Sequence, residues 1–447
     1  MTKRRGFSLE QLAGAPLRAL TRLSGSDLAE RLHLRDPARK ILYHGARVGT
    51  QAIKAGVGAV NKRAASDPTR LSSSKGSGKF DLTPTDDQTM MRDSMRRFAG
   101  EVLQTAARAA DDAASPADDV LEQAHGLGLA ALAVPEALGG VGSERSSVTQ
   151  AIIAEELSRG DMGLALAILA PVAVVHAIVE WGTGAQQEAL LPQFLGDHFT
   201  GAALALLEPR PLFDPMTPRT GAVRDAKSGG WALWGEKSLV PLASRAQTFL
   251  VAAEVKGVGV RLFVVERDTP GLSVVPEPSM GLRGAGLGHL RFEGARVSDD
   301  ALLGGPGADN AFDVGVLVDR SRIAWGALAV GTSQSVLDYV VPYVNSRIAF
   351  GEPISNRQSV AFMVADIAIE VEGMRLLVHR AASLVEQGKP ATRAASLARQ
   401  QCASKAMKIG SDGVQLLGGH GFIKEHPVER WYRNLRAVGI FEGGVFA

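Results

Sequence analysis

The sequence predicts an α+β protein in which a unit of short β-strands separates two helical units. Three observations support this class. Apolar residues recur at helical spacing from about residue 82 to residue 195, and again from about residue 308 to residue 418. Between about 200 and 300 the segments are short and β-rich, with Gly and Pro between them. The length of 447 residues suffices for several packed units.

The predicted unit boundaries follow these changes of pattern. A Ser- and Gly-rich linker at residues 72–78 precedes the first helical pattern. The predicted units are a basic extension with its linker (1–80), a helical unit (81–199), a β unit (200–305) and a second helical unit (306–447).

Composition indicates a globular protein without disulfides. Hydrophobic residues make up 45% of the chain and charged residues 21%. The single cysteine, Cys402, excludes a disulfide framework and a cysteine-based zinc site, and we expect no metal. The apolar stretch from Met162 to Val179 has 18 residues, just enough to span a membrane, but Pro171 and His176 interrupt it. We expect a buried bundle helix there.

The N-terminal extension carries most of the positive charge. Residues 1–75 contain 15 Lys and Arg against 5 Asp and Glu, so the remainder has 34 basic and 42 acidic residues. The net charge of +2 does not indicate nucleic-acid binding. Residues 38–63 resemble a basic amphipathic helix, which either contacts a membrane or a partner, or packs on its own body. We expect a cytoplasmic protein, with peripheral membrane association or an organellar matrix as alternatives.

Local motifs exclude several chemistries. The chain has no phosphate-binding GxxxxGK[ST] loop, no HExxH zinc motif and no GxSxG nucleophile elbow. The glycines of Gly281–Gly288 do not form GxGxxG and do not open a helix after a strand. These motifs alone leave the function open.

Several longer blocks carry a stronger signal because they occur together in a fixed order. They are Leu129–Glu136, Ala205–Pro209, Gly235–Lys237, Met280–Gly284, Phe292–Val297, Arg347–Gly351, Gln415–Phe422 and Phe441–Gly443. With this series, residues 80–444 resemble the acyl-CoA dehydrogenase family. The resemblance implies a helical unit, a β-barrel-like unit and a four-helix unit, assembled as a homodimer or homotetramer. It also implies tightly bound FAD, an acyl-CoA substrate and an electron-transfer flavoprotein as electron acceptor.

The resemblance assigns catalysis to Glu442, which would remove the α-proton of the thioester while the β-hydrogen leaves as hydride. An α-C–H is a very weak acid, so the base must lie within direct reach in a dry pocket. Some family members place the base on a helix of the last unit instead. Ser321 occupies the matching position here and cannot act as a base.

The resemblance also assigns binding residues. Arg347 and Phe350 are three residues apart and would share a helix face, and an arginine fork suits a pyrophosphate. The residues expected to contact FAD are Arg347, Phe350, Gln358, Gln415, Gly419, Leu207 and Pro241. The first three are expected to contact the FAD that is bound to a neighbouring subunit. Asp319 and Arg322 are expected near the CoA thioester arm, with a plain helix salt bridge as the alternative.

The sequence departs from the family on the flavin side. Leu207 replaces a hydroxyl residue, Leu239 replaces an aromatic residue, and Pro241 replaces a Thr or Ser. Pro241 offers neither a hydroxyl nor an N–H. These changes leave two hypotheses: an FAD-dependent dehydrogenase of fatty acyl-CoA, or a catalytically degenerate homologue that acts as partner subunit of another dehydrogenase.

Overall fold

The computed structural model describes residues 68–73, 83–225, 229–307 and 310–445. Residues 66–447 form one compact unit. The basic segment 38–63, and most of the extension 1–80, lie outside the described residues.

The first helical region surrounds one fully buried apolar helix. Its elements are β1 (Ser72–Ser73), α1 (Asp86–Phe98), α2 (Gln104–Ala113), α3 (Asp118–His125), α4 (Leu129–Ala133), β2 (Glu144–Arg145), α5 (Ser147–Gly160), α6 (Met162–Trp181) and α7 (Gly184–Leu190). Helix α6 begins at the cap residue Asp161, whose carboxylate accepts bonds from the N–H groups of Gly163 and Leu164. In the described part of the chain α6 alone is long and apolar enough to cross a membrane, and it is buried inside the protein. The prediction of a bundle helix is confirmed.

The middle region is a seven-stranded sheet. Its strands are β3 (Ala202–Ala205), β4 (Gly221–Arg224), β5 (Trp231–Val240), β6 (Thr248–Val255), β7 (Gly259–Glu266), β8 (Leu272–Pro276) and β9 (Gly288–Val297). The strand order is β3-β6-β4-β5-β9-β8, and β7 pairs with β6. Strand β3 runs parallel to β6, while β5 pairs antiparallel with β9. The end of β3 carries the chain directly into Leu206 and Leu207.

The last region consists of long helices. Its elements are α8 (Val314–Ser346), β10 (Ile348–Ala349), β11 (Glu352–Pro353), α9 (Gln358–Glu386), α10 (Thr392–Leu417) and α11 (Val428–Arg436). The order of helices, strands and helices confirms the predicted α+β class.

Helices α8 and α5 cross at very short distance. A Cβ built at Gly331 would lie 1.9 Å from the carbonyl oxygen of Glu155. The hydroxyls of Thr332 and Ser335 donate to the carbonyls of Ser158 and Arg159 in α5. Small residues therefore let two helices from different regions touch through their backbones.

Candidate active site

Glu442 lies in a mostly buried cluster of two arginines. Its side chain is 13% exposed. Nε of Arg322, from α8, lies 3.2 Å from one carboxylate oxygen, and Nη2 lies 3.1 Å from the other. Nε of Arg399, from α10, lies 3.8 Å from Oε1. Such a forked contact fixes the orientation of the carboxylate.

The backbone around Glu442 is fixed from both sides. Nη2 of Arg399 donates to the carbonyl of Phe441 over 2.8 Å. The indole Nε1 of Trp325 donates to the carbonyl of Gly443, also over 2.8 Å. The rings of Phe441 and Trp325 lie 4.7 Å apart. The backbone N–H of Glu442 makes no hydrogen bond within the described residues, so it is available to a ligand.

The segment after Glu442 packs against the β unit. A Cβ built at Gly443 would lie 2.8 Å from the side chain of Leu206, and one at Gly444 would lie 3.9 Å from the Pro241 ring. Leu207 and Pro241 are buried, and the carbonyl of Leu207 accepts a bond from the N–H of Ser238. The structure therefore places the segment of Glu442 close to Leu207 and Pro241, two residues that are predicted to contact the flavin.

A buried ion pair supports this strand end. Nζ of Lys237 lies 3.0 Å from the Leu206 carbonyl and 3.0 Å from Oε1 of Glu208. Burial lowers the pKa of Lys237 to about 8, although Glu208 opposes the shift. Burial also disfavours ionised Glu208, but Lys237 and two backbone N–H groups outweigh it and lower the pKa of that carboxyl. Both groups are therefore charged at neutral pH.

Lys237→Met is expected to lower the free energy of unfolding by about 2–3 kcal/mol, because it removes the fully buried cation of the pair and leaves Glu208 only the more exposed Arg210, 3.4 Å away. The backbone N–H groups of Arg219 and Thr220 still bond Glu208, which limits the loss. Urea unfolding followed by circular dichroism measures the change. Lys256→Met, at an exposed turn, is the control. Equal stability of the two variants would contradict the role given to this pair.

Five predicted cofactor residues are exposed on the second helical region. They are Arg347, Phe350, Gln358, Gln415 and Gly419. The hydroxyl of Tyr343 bonds Nδ1 of His420 over 2.9 Å, which ties the end of α8 to the turn after α10. The prediction of a shared helix face for Arg347 and Phe350 was wrong. Helix α8 ends at Ser346 and Phe350 lies in the β10–β11 turn with φ of 56°.

The predicted substrate residues have separate partners. Oδ2 of Asp319 accepts a hydrogen bond from the hydroxyl of Thr392 over 2.6 Å. Arg322 pairs with Glu442 instead of Asp319, so their spacing does not give a helix salt bridge among the described residues. Ser321 is completely buried.

Sequence reasoning missed Arg399 and Trp325. Both act on Phe441–Gly443 from helices that are distant in the sequence, Arg399 across 42 residues and Trp325 across 118. Burial lowers the pKa of Arg399, Glu442 opposes the shift, and repulsion from Arg322 adds to it. No local motif marks either residue.

Comparison with known proteins gives the same architecture. Three family models match the chain: the acyl-CoA dehydrogenase N-terminal domain over residues 85–197, the middle domain over 203–295 and the C-terminal domain over 315–444. The human mitochondrial short-chain specific acyl-CoA dehydrogenase is 34% identical over 79% of this chain and 86% of its own length. The chain belongs to the acyl-CoA dehydrogenase family. Its members are oxidoreductases.

Solved structures agree with this assignment. Butyryl-CoA dehydrogenase from Megasphaera elsdenii has a TM-score of 0.73 at 27% identity, covering 81% of this chain and 96% of its own. An FAD complex of PigA has the same TM-score at 25% identity, covering 81% and 95%. Acyl-CoA dehydrogenases are FAD flavoproteins.

The residues of this family member fit an FAD in part through polar groups and in part through apolar contact. The exposed guanidinium of Arg347 and the amides of Gln358 and Gln415 are suitable donors for phosphates and ribose. A Cβ at Gly419 would meet no atom within 4 Å, so its backbone is open to close approach. Leu207 and Pro241 supply only apolar surface to a ring. The exposed group and the buried group thus suit different parts of one dinucleotide.

Proposed function

We propose that this protein dehydrogenates a fatty acyl-CoA thioester at the α and β carbons, with Glu442 as the base. The observation that supports it most is the position of Glu442. Its side chain lies in a mostly buried cluster, and Arg399 and Trp325 hold the carbonyls of the residues on either side. A fixed backbone places the carboxylate with little freedom, as proton abstraction from a weak carbon acid requires.

The residues of the chain divide the reaction between them. Glu442 takes the α-proton, and its free backbone N–H donates to the thioester carbonyl, where negative charge develops. FAD, when bound, accepts the β-hydrogen as hydride. Arg322 must release at least one carboxylate oxygen before abstraction, because it now contacts both. When the CoA thioester arm of the substrate binds Arg322, the guanidinium group moves away from the Glu442 carboxylate.

Two sets of residues would hold the cofactor. Leu207, Leu239 and Pro241 would supply apolar surface to the flavin, and the Pro241 ring lies next to Gly444. The exposed residues Arg347 and Phe350 reach outward, and Phe350 is 94% exposed with only the Arg357 guanidinium 5.4 Å from its ring centroid. An exposed phenyl ring on a short turn suits contact with a second subunit. We propose that the site is completed in a homodimer or homotetramer, with an electron-transfer flavoprotein as acceptor.

An apolar stripe on α9 supports assembly. Phe362, Ile369 and Leu376 recur every seven residues on one face and are 60%, 68% and 44% exposed. Ile369→Glu is expected to convert the oligomer to monomer, because a charge in an apolar interface stays unpaired. Light scattering after size-exclusion chromatography measures the mass. Val223→Glu, which adds the same charge to an exposed site on β4, is the control and leaves the mass unchanged. An unchanged mass in Ile369→Glu excludes this face.

The visible absorption spectrum tests the function directly. The purified protein is measured alone, after addition of FAD, and after addition of acyl-CoAs of increasing chain length. A flavin band that one class of acyl-CoA bleaches, and that an electron-transfer flavoprotein restores, supports the proposal and names the substrate class. Absence of bleaching by any acyl-CoA contradicts it.

The partner-subunit hypothesis has one observation in its favour. Leu207 and Pro241 are already buried, and neither side chain offers a hydrogen-bond group to a flavin. A protein that cannot be loaded with FAD, but that raises the flavin content or activity of another acyl-CoA dehydrogenase when mixed with it, would favour that hypothesis.

A further inference from the structure

Arg399 has unused donors beside Glu442. Its side chain is 12% exposed, and only Nη2 makes a hydrogen bond, to the Phe441 carbonyl. Its Nε and Nη1 groups are buried and have no hydrogen-bond partner within the described residues. Nε lies 3.8 Å from Oε1 of Glu442, beyond hydrogen-bond distance but close enough for strong attraction. Buried guanidinium groups normally satisfy their donors, so these two N–H groups need a reason.

Arg322 and Arg399 differ in access. Arg322 makes the forked contact with Glu442, yet its side chain is twice as exposed, at 24% against 12%. Arg322 also bonds the hydroxyl of Ser396. A ligand that enters from solvent therefore reaches Arg322 first. When Arg322 turns to that ligand, Arg399 is the cation that stays next to Glu442.

We propose that Arg399 is a positioning residue for Glu442, which fixes the Phe441 carbonyl and remains beside the carboxylate while Arg322 binds the substrate. The proposal rests on Glu442 being the base of the proposed function. Arg399 touches no reacting atom. It acts through the backbone of Phe441 and through its charge near Oε1.

The charged surroundings of Glu442 come from two helices. Arg322 of α8 and Arg399 of α10 face the carboxylate, and the buried thiol of Cys402 lies near Arg399. Burial raises the pKa of Cys402 to about 12, so this thiol stays neutral and adds no charge. Removal of Arg399 therefore removes half of the positive charge around Glu442.

The test compares kcat and KM in the full-length protein loaded with FAD. Arg399→Gln is expected to lower kcat about tenfold with KM within about twofold, because the base is less well placed. Arg399→Lys keeps a positive charge beside the carboxylate, so part of kcat returns.

Trp325→Phe tests the other contact that holds this segment. It removes the bond to the Gly443 carbonyl, so kcat falls while KM stays within about twofold. Arg393→Gln, an exposed arginine of α10, leaves both quantities unchanged. A wild-type kcat in Arg399→Gln overturns the proposal. Should that variant not fold, an Arg399→Lys protein with wild-type kcat overturns it instead.

The failure of the base assignment is distinguishable from the failure of this inference. Activity that survives Glu442→Gln removes the base itself. Activity that is lost in Glu442→Gln but kept at the wild-type kcat in Arg399→Gln removes only the role of Arg399.

Discussion

Glu442→Gln is expected to lower kcat by about 10³-fold, while FAD content and melting temperature remain close to wild type. The amide has the shape of the carboxylate but cannot accept the α-proton. Its oxygen can still bond Arg322, so the surrounding structure is preserved. Stopped-flow absorbance of flavin bleaching by an acyl-CoA measures the rate of the chemical step.

A matched substitution controls for the loss of a carboxylate as such. Glu293→Gln changes an exposed glutamate of β9 and keeps the wild-type rate. If Glu442→Gln bleaches its flavin as fast as Glu293→Gln, the α-proton goes to another group, and the assignment of Glu442 is wrong.

Gly331→Ala is expected to destabilise the protein by at least about 3 kcal/mol, because the added methyl overlaps backbone that cannot yield. A Cβ at this position would lie 1.9 Å from the Glu155 carbonyl oxygen and 2.2 Å from the Ser158 hydroxyl. Helices α8 and α5 must move apart, and the bonds from Thr332 and Ser335 to α5 would break. Urea unfolding of the purified variant measures the loss.

Gly100→Ala provides the opposite result from the same substitution. Gly100 lies in the helical turn between α1 and α2, and a Cβ there would meet no atom within 4 Å. The alanine favours the helix and raises stability by up to about 1 kcal/mol. A similar loss in both variants would mean that helix propensity, and not contact with α5, determines the role of Gly331.

The order of the units was predictable because hydrophobic periodicity changes twice along the chain. Each segment of one periodicity is long enough for its type to be recognised. The buried state of α6 also followed from its sequence, since Pro171 and His176 interrupt the apolar run. Glu442 could be proposed from the short series Phe441–Gly443, because the block occurs in order with seven others. Hydrophobic periodicity and the order of motifs can both be observed in a single sequence.

The cluster around Glu442 was not predictable in the same way. Arg322 contacts it across 120 residues, and its three-residue spacing from Asp319 suggested a salt bridge that does not form. Helical spacing places two side chains on one face but does not choose between a neighbour on the helix and a carboxylate from elsewhere. The backbone conformation at some positions was also not predictable from the sequence. Leu239 and Leu242 both have φ of 53°, a region that the β-rich pattern around them does not suggest.

The burial of α6 has a consequence for synthesis of the chain. Asp161, at the start of this helix, forms a buried pair with Arg430 across 269 residues. At the usual ribosomal speed of about 5–20 residues per second, Arg430 emerges roughly 13–54 s after Asp161. During that interval α6, which is as apolar as a membrane-spanning helix, lacks some of the residues that pack against it in the finished fold. Exposed apolar surface promotes aggregation, so the interval before Arg430 is synthesised is the one in which this helix is most prone to it.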